Sequence, residues 1–294
     1  MPTPTFLAQL SSTIVDTAAA IAPSIVEVAS PRSLASGFIW REGLIITADE
    51  SLSDEGQIHI EFADGTQRPA SLVGRDPSTD IALLRIESAG APSAAPAVLS
   101  QETPRPGALV VVAAAADSAP LVSFGSATAV GPAWRSMRGG KIDARIELDV
   151  RLPHRAQGGL AISAEGNAFG MAVRGPARRT LVIPSATLEA TAAILLEHGK
   201  VPRGYLGLGL HQVAVNGGSP GAMVMSVDPN GPAATGGILQ GDIIIRWNGE
   251  TVPSVNTLVR TLDHHSIGQS VSLGIKRAGA DVEAAVTIAT RPRG

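Results

Sequence analysis

The chain has 294 residues, of which 44% are hydrophobic, 17% are charged and 3% are aromatic. This length accommodates two domains with sizeable cores. The net charge of −3 and the scarcity of aromatic residues argue against nucleic acid or an anionic membrane as a partner. The absence of cysteine excludes disulfides, thiol nucleophiles and cysteine-ligated metals.

Hydropathy and the spacing of the histidines exclude further classes of protein and of site. No run of about 18 or more apolar residues occurs, so the sequence predicts no transmembrane segment. No pair of histidines has the spacing of a zinc site. We therefore expect neither a metal nor any other cofactor.

The first predicted element is a helix over Phe6–Ile21, in which apolar residues recur at close to helical spacing. Pro23 ends it. The first basic residue is Arg32, so the start of the chain lacks the charged region of a signal peptide. Either the protein is not secreted or its signal peptide has been removed, and we favour the second reading.

Short strands separated by turns fill the following 160 or so residues. The runs are SIVEVA, GFIW, LIIT, QIHIEF, ASLVGRD, IALLRIE, LVVVAAAA, VSFGSATAV, KIDARIELDV, LAIS and AFGMAVR. This many short strands with regular turns predicts an all-β-dominated fold, either a barrel pair or a sandwich pair.

A helix is predicted after these strands, with Ser185 as its N-cap and Gly199 as its C-terminal stop. Residues 201–204 have the composition of a linker. A second compact unit begins at Tyr205, with strands and two predicted short helices, one near Ala233 and one over Val255–Leu262. This mixture is typical of an α+β domain.

Several segments, in the right order, resemble the HtrA family of trypsin-like serine proteases. They are Ser36–Ile39, Leu44–Thr47, Asp64–Gly65, Gly74–Asp76, Asp80–Leu84, Gly158–Gly159, Gly166–Gly170, Ile183–Pro184 and Gly199–Gly207. The resemblance implies an N-terminal oligomerisation segment over residues 1–23, a double six-stranded β-barrel over residues 24–200 and a PDZ domain over residues 201–294. It also implies a trimer and a periplasmic or other extracytoplasmic location, with the cytoplasm as the alternative.

The family's catalytic triad is matched at one of three positions. The resemblance places Asp80 at the catalytic aspartate, Glu50 at the general-base histidine and Gln157 at the nucleophilic serine, with one extra residue before Gln157. A serine protease needs a hydroxyl whose proton a neighbouring imidazole removes, and a glutamine amide is not a usable nucleophile. We expect that the catalytic site and its oxyanion hole are lost and that Asp80 has a structural role. A carboxylate pair activating water is the disfavoured alternative.

Two residues near these positions are considered as replacements for the lost groups. His154 lies close to Gln157 in sequence and could line the remnant pocket. Ser163 lies too far along the following strand to replace the nucleophile.

The start of the second unit resembles the carboxylate-binding loop of PDZ domains, where successive N–H groups bind a peptide's C-terminal carboxylate and the peptide adds as a strand. An apolar pocket would take the last side chain of the peptide. The alternative is that its leucines only form core. The candidate peptide-binding residues are Tyr205, Leu206, Gly207, Leu208, Leu258 and Leu262.

Three functions remain open at this point. We favour an HtrA-like pseudoprotease without enzymatic activity that binds peptide C-termini or unfolded proteins as a chaperone, adaptor or regulator. It would act as a homo-oligomer, such as a trimer, or in mixed assemblies with active relatives. The second hypothesis is an active serine-type endopeptidase with an unusual or displaced site, and the third is a structural oligomerisation unit.

Overall fold

The computed structural model describes residues 5–53, 55–86, 95–116, 119–215 and 218–290. The chain divides into two compact units. The first lies within residues 1–136 and 141–201, and the second within residues 137–140 and 202–294. Among the described residues, no helix is long and apolar enough to cross a membrane.

The first element is helix α1 (Phe6–Ile21), which has the bounds predicted from the sequence. Thr5 caps its N-terminus, since the Ala8 N–H donates to Thr5 Oγ1 over 3.3 Å. A short 3₁₀ turn that contains Pro23 follows and leads into the first strand.

Six strands then close into the first antiparallel barrel, in the order β1-β2-β3-β6-β5-β4. They are β1 (Ile25–Ser30), β2 (Ser33–Arg41), β3 (Leu44–Thr47), β4 (Ile58–Glu61), β5 (Gln67–Asp76) and β6 (Ile81–Ile86). Alternate side chains fill the interior, as Ile58 and Ile60 do on β4 while His59 and Glu61 are only partly buried.

Six further strands close into the second barrel, in the order β11-β14-β13-β12-β7-β8. They are β7 (Leu109–Ala116), β8 (Ala119–Gly131), β11 (Arg145–Leu148), β12 (Leu160–Ser163), β13 (Ala168–Arg174) and β14 (Thr180–Pro184). The two-residue strands β9 (Trp134–Arg135) and β10 (Lys141–Ile142) pair with each other outside the barrel. This architecture confirms the predicted fold class.

Helix α2 (Ser185–His198) covers the seam between the barrels and ends at Gly199, whose φ is 72°. Its buried residues Leu188 and Leu195 join an apolar cluster drawn from both barrels, which includes Phe38 and Leu160. The predicted N-cap at Ser185 is wrong. The strand before the helix extends through Pro184, so Pro184 is the N-cap without a side-chain bond, and Ser185 is already helical.

The second unit is a mixed α+β domain whose main sheet has the order β16-β17-β18-β20-β21, with β19 beside β18 and β15 paired with β22. Its elements are β15 (Gly204–Tyr205), β16 (Leu208–Val215), β17 (Ser219–Val227), α3 (Pro232–Thr235), β18 (Ile243–Trp247), β19 (Glu250–Thr251), α4 (Val255–Thr261), β20 (Ser270–Arg277), β21 (Ala280–Thr287) and β22 (Ala289–Thr290). Helix α4 ends one residue earlier than predicted, so Leu262 is its C-cap.

Candidate functional site

The turn after β3 brings Glu50 next to Asp80. The Glu50 N–H donates to Asp80 Oδ1 over 2.7 Å, and the Asp49 N–H donates to the Asp80 carbonyl over 3.3 Å. Asp80 has a φ of 60°, in the left-handed region that aspartate tolerates better than most residues. The two positions that the resemblance assigned to the base and its orienting aspartate are therefore adjacent in space.

The carboxylate of Asp49 also holds this turn in place. Asp49 is buried, and the Arg75 guanidinium donates to its Oδ1 and, over 3.3 Å, to its carbonyl oxygen. Asp76 is buried as well and accepts hydrogen bonds from Ser78 and Thr79, which shapes the turn that leads to Asp80. The sequence analysis missed Asp49 and Arg75, because their ion pair joins the turn after β3 to strand β5, 26 residues further along the chain.

Gln157 lies at the position assigned to the nucleophile, where its side chain is 4% exposed. Its Nε2 lies 3.0 Å from His154 Nδ1, and its Oε1 accepts a hydrogen bond of 3.3 Å from the Arg174 N–H on β13. Both ends of the carboxamide are therefore engaged within the same domain. Ser163 lies on β12, one strand further on.

The backbone around Gln157 forms a tight 3₁₀ turn over His154–Ala156. The Gln157 N–H donates to the His154 carbonyl over 3.2 Å, the Gly158 N–H to the Ala172 carbonyl over 3.0 Å, and the Gly159 N–H to the Ala156 carbonyl over 3.1 Å. An oxyanion hole needs backbone donors aimed at the reacting carbonyl. In this turn the N–H groups of Gln157, Gly158 and Gly159 donate to carbonyls of the protein itself.

Ser36 links this turn to the first barrel. Its N–H donates to the Gln157 carbonyl over 2.9 Å, its Oγ donates to the Arg155 carbonyl over 2.8 Å, and its own carbonyl accepts from Thr47 Oγ1 over 2.7 Å. Gly158 lies against this link, because a Cβ at this position would be 2.0 Å from the Ser36 carbonyl oxygen. Ser36 thus joins the Gln157 turn to Thr47 at the end of β3, three residues before Glu50.

The side chains at these positions allow few catalytic reactions. Glu50 can accept a proton, but Gln157 offers neither a hydroxyl nor a thiol. Within the described part of the chain, no group of three or more His, Asp or Glu side chains could hold a metal ion.

In the second unit, the loop between β15 and β16 contains the predicted carboxylate-binding residues. The Leu206 carbonyl accepts from the Ala233 N–H over 2.9 Å, and the Gly207 carbonyl accepts from the Asp228 N–H over 2.8 Å. Tyr205 donates its hydroxyl to Asp228 Oδ2 over 2.8 Å. The pKa of Asp228 is lowered, first by the N–H of Asn230 and then by this hydroxyl.

The other predicted peptide-binding residues divide into two groups. Leu206 and Leu258 are each 2% exposed and belong to the domain core, whereas Leu208 and Leu262 are only partly buried and pack against it. Strand β16 lies at the edge of its sheet, which leaves one side of the strand without a partner strand among the described residues.

A polar bridge that the sequence analysis missed ties β16 to helix α4. Gln212 Oε1 accepts a hydrogen bond of 2.7 Å from the Val255 N–H, and its Nε2 donates to the Gly221 carbonyl over 3.2 Å. Gln212 lies two residues after Leu210 and four after Leu208 on the same strand. Side chains at every second position of a strand share one face, so these three lie on the same side of the sheet. The bridge fixes the spacing between the edge strand and the helix.

Comparisons with known proteins agree with the division of the chain into two units. Residues 35–171 match the trypsin-like peptidase domain, and residues 204–288 match the PDZ domain. With the two barrels, these matches define a trypsin-like peptidase domain followed by one PDZ domain. This is the arrangement of an HtrA/DegP-type protein.

Curated relatives of the chain are named as DegP-like serine endoproteases. The chain is 30% identical over 278 residues to a probable periplasmic serine endoprotease DegP-like of Brucella suis, a match that covers 89% of this chain and 53% of the relative. A protein of the same name from Halomonas elongata is 28% identical over 280 residues, which covers 89% of this chain and 57% of that protein. The chain therefore spans about half the length of the curated relatives it matches.

Solved structures match over nearly the full length. The crystal structure of the serine endoprotease from Yersinia pestis has a TM-score of 0.72 at 25% identity, covering 99% of this chain and 100% of that chain. The HtrA-type protease AlgW with decapeptide has a TM-score of 0.72 at 22% identity, covering 96% and 99% respectively. The second likeness shows a shared fold.

Proposed function

We propose that this chain is an HtrA/DegP-type pseudoprotease, which keeps the peptidase fold but does not cleave peptides. It binds peptide C-termini or unfolded proteins, and acts as a chaperone, adaptor or regulator. The observation that carries the proposal is Gln157, which the resemblance aligns with the nucleophile and whose buried carboxamide is held by His154 and the Arg174 N–H.

The chemistry of the remaining groups supports this reading. Acyl transfer needs a nucleophile, a base within reach of its proton and donors for the oxyanion. Glu50 lacks a hydroxyl to activate at Gln157, and the turn's N–H groups donate to internal carbonyls. Asp80 orients the turn through the Glu50 N–H, as expected of a residue kept for structure.

Peptide binding is assigned to the PDZ domain. With the carbonyls of Leu206 and Gly207 turned towards Ala233 and Asp228, the N–H groups of the Gly207–Leu208 segment would bind the peptide's terminal carboxylate. The peptide would then add to the edge of β16, and Leu208 and Leu262 would contact its last side chain. The name of the related AlgW structure includes a bound decapeptide, which is in line with this assignment.

Assembly and location are parts of the same proposal. Helix α1 exposes 75% of Phe6, 74% of Leu7 and 62% of Val15, so burying these side chains against other copies would remove apolar surface from water. We assign this helix to contacts between copies of the chain. These contacts would form a trimer, or a mixed assembly with active relatives.

The cell compartment is assigned from the relatives. The curated relatives are named periplasmic, and we assign this chain to the same compartment.

The alternative function is an active serine-type endopeptidase, favoured by the names of the relatives. A fluorophosphonate probe, which reacts with activated serines, separates the two. If the chain is a pseudoprotease, mass spectrometry should detect no covalent adduct. A single stoichiometric adduct on any serine would instead support a displaced catalytic site.

Peptide binding is tested by calorimetry with two pentapeptides that share one sequence with an apolar last residue. One ends in a free carboxylate and the other in an amide. We expect the free acid to bind at least about tenfold more tightly, since the amide loses a charge-assisted contact to the loop. Equal affinity for the two peptides would contradict binding through the carboxylate.

The matched variants are Gly207→Ala and Gly249→Ala. Both glycines have a positive φ, 79° and 85° respectively, so both substitutions strain the backbone to a similar extent. Only a Cβ at Gly207 would press on Asp228 and Gly231, at 3.1 Å from each. Binding should therefore be weakened in Gly207→Ala and kept in Gly249→Ala.

A further inference from the structure

Three exposed arginines lie on neighbouring backbone segments at one end of the second barrel, where β13 joins β14. Arg174 ends β13, and Arg178 lies in the connection to β14. Arg151 follows Val150, whose carbonyl accepts a hydrogen bond from Thr180 Oγ1 at the start of β14. Thr180 is in turn the cross-strand partner of Arg174. We call the surface formed by Arg151, Arg174 and Arg178 the arginine patch.

The charges of the patch are not balanced within the protein. Among the described residues, none of its three guanidinium groups pairs with a carboxylate or donates a hydrogen bond. The neighbouring Arg179 differs, because it bonds to Glu147 over 2.6 Å, and Arg145 bonds to the same carboxylate. Asp149 is exposed nearby, but one carboxylate cannot neutralise three guanidinium groups. The patch therefore has an excess of positive charge in a chain whose net charge is −3.

The backbone that presents Arg178 is strained. Ala177 has a φ of 55° and Arg178 a φ of 60°, in the left-handed region that residues other than glycine seldom adopt. Two hydrogen bonds close the turn, from the Gly175 N–H to the Arg179 carbonyl over 2.7 Å and from the Arg179 N–H to the Pro176 carbonyl over 3.2 Å. A glycine at position 178 would relieve the strain, so the arginine side chain is present where it lowers stability. Strain of this kind is typical of binding sites.

The chemistry of the patch selects an acidic ligand. A guanidinium group presents a planar fork of N–H donors, which binds a carboxylate through two hydrogen bonds. Nucleic acid fits less well, because aromatic residues make up only 3% of the chain and bases need them for stacking. The patch also borders the Gln157 site, since the Arg174 N–H donates to Gln157 Oε1 over 3.3 Å.

We propose that the arginine patch binds an acidic segment of a partner protein, one that carries several Asp or Glu side chains. The carboxylates of this segment pair with the guanidinium groups of Arg151, Arg174 and Arg178. The patch is a binding site in addition to the PDZ domain. It depends neither on peptide binding by that domain nor on the absence of proteolysis.

The test measures binding of a dye-labelled hexaglutamate peptide to the full chain by fluorescence anisotropy. The N-terminus of the peptide is blocked and its C-terminus is an amide, so it lacks the terminal carboxylate that the PDZ domain is proposed to bind. We expect saturable binding at low ionic strength. The hexaglutamine peptide with the same label and ends should bind at least about tenfold more weakly, because it lacks the charges.

Two glycine variants form a matched pair. Arg178→Gly removes a guanidinium group from the patch, and Arg32→Gly removes one from the turn between β1 and β2. Both arginines are exposed and have a positive φ, 60° and 68° respectively, so both variants lose one charge and relieve a similar backbone strain. Only Arg178→Gly should weaken hexaglutamate binding, by about threefold or more. Adding Arg151→Gln and Arg174→Gln should bring the loss to at least about tenfold.

A denaturation midpoint separates binding from a structural role of Arg178. Because glycine suits the left-handed backbone, the midpoint of Arg178→Gly should not fall below that of the parent. A fall in both midpoint and affinity would mean that the arginine acts by holding the turn, which would overturn the proposal.

Three further results would overturn it. Equal affinity for the glutamate and glutamine peptides would show that charge is not recognised. Unchanged affinity in the triple variant would place the binding elsewhere. Tighter binding of a single-stranded oligonucleotide of equal charge would assign the patch to nucleic acid instead.

Discussion

The N–H of Glu50 donates to the Asp80 carboxylate over 2.7 Å, so the aspartate fixes the backbone of the residue that the family resemblance aligns with the catalytic base. The Asp49 N–H bonds to the Asp80 carbonyl, and Arg75 holds the Asp49 side chain. Asp80 thus has a structural task, because its side chain and its carbonyl both hold the turn after β3.

The first prediction concerns that structural task. Asp80→Ala removes a charged acceptor and the residue's tolerance of a φ of 60°, so we expect it to lower the free energy of unfolding by about 2 kcal/mol. Asp80→Asn keeps a carbonyl acceptor and the same backbone tolerance, so its loss should be smaller. Urea denaturation measures both. Equal stability of Asp80→Ala and the parent would show that the bond to Glu50 contributes nothing.

The second prediction concerns the tautomer of His154. Gln157 Oε1 accepts from the Arg174 N–H, which turns the Nε2 donor towards His154 Nδ1. That nitrogen must then be unprotonated, and the neutral ring carries its proton on Nε2. Long-range ¹H–¹⁵N NMR at alkaline pH should show this tautomer in the parent and a mixture of tautomers in Gln157→Ala. A mixture in the parent would contradict the contact.

The third prediction compares two glycines with similar backbones. Gly158 and Gly166 have φ values of 88° and 84°, but only at Gly158 would a Cβ collide with a backbone atom, the carbonyl oxygen of Ser36. Gly166→Ala should cost about 1 kcal/mol of unfolding free energy, from φ strain alone. Gly158→Ala should cost well above that, or prevent folding. Denaturation midpoints give the comparison, and equal losses would mean that the Ser36 link tolerates displacement.

The fourth prediction is a pH dependence in the PDZ domain. Asp242 is buried and bonds to Arg277 Nε over 2.8 Å and to its terminal nitrogen over 2.7 Å. Arg277 first, and then the Leu239 N–H, lowers the pKa of Asp242 despite its burial. Because the folded pKa is lowered, this stabilisation is complete above the unfolded aspartate pKa of about 3.9 and is lost as pH falls through the folded pKa.

Asp242→Asn should therefore lower the unfolding free energy by about 3 kcal/mol at neutral pH, and the gap to the parent should close under acid conditions. The control is Asp281→Asn, which breaks the exposed pair with Lys276 and should leave stability unchanged within error. Urea denaturation as a function of pH measures both variants. A gap that widens as pH falls would reverse the sign of the argument.

The sequence predicted regular, local features well. Helix α1 has its predicted bounds because the apolar spacing and Pro23 are both local signals. The alternating strands between turn residues, together with the family resemblance, led to the confirmed fold class. The errors at Ser185 and Leu262 lie at helix ends, where one residue of strand or cap geometry decides the boundary.

The candidate site was less accessible from sequence. Gln157 and Arg174 are 17 residues apart, and their contact depends on the β12–β13 register, which shifts between Ala161 and Ile162. The alternation of side chains carries no signal for such a shift.

The central claim is that this chain does not cut peptides, and cleavage of casein by purified protein tests it most directly. The parent should produce no fragments above a protein-free blank, and neither should Gln157→Ala. The Glu50→His, Gln157→Ser double variant, run beside them, places a histidine and a serine at the two positions that the resemblance assigns to them, and any cleavage by it would show that the remaining machinery persists. Cleavage by the parent that co-elutes with the protein would contradict the account, and its survival in Gln157→Ala would point to a displaced site.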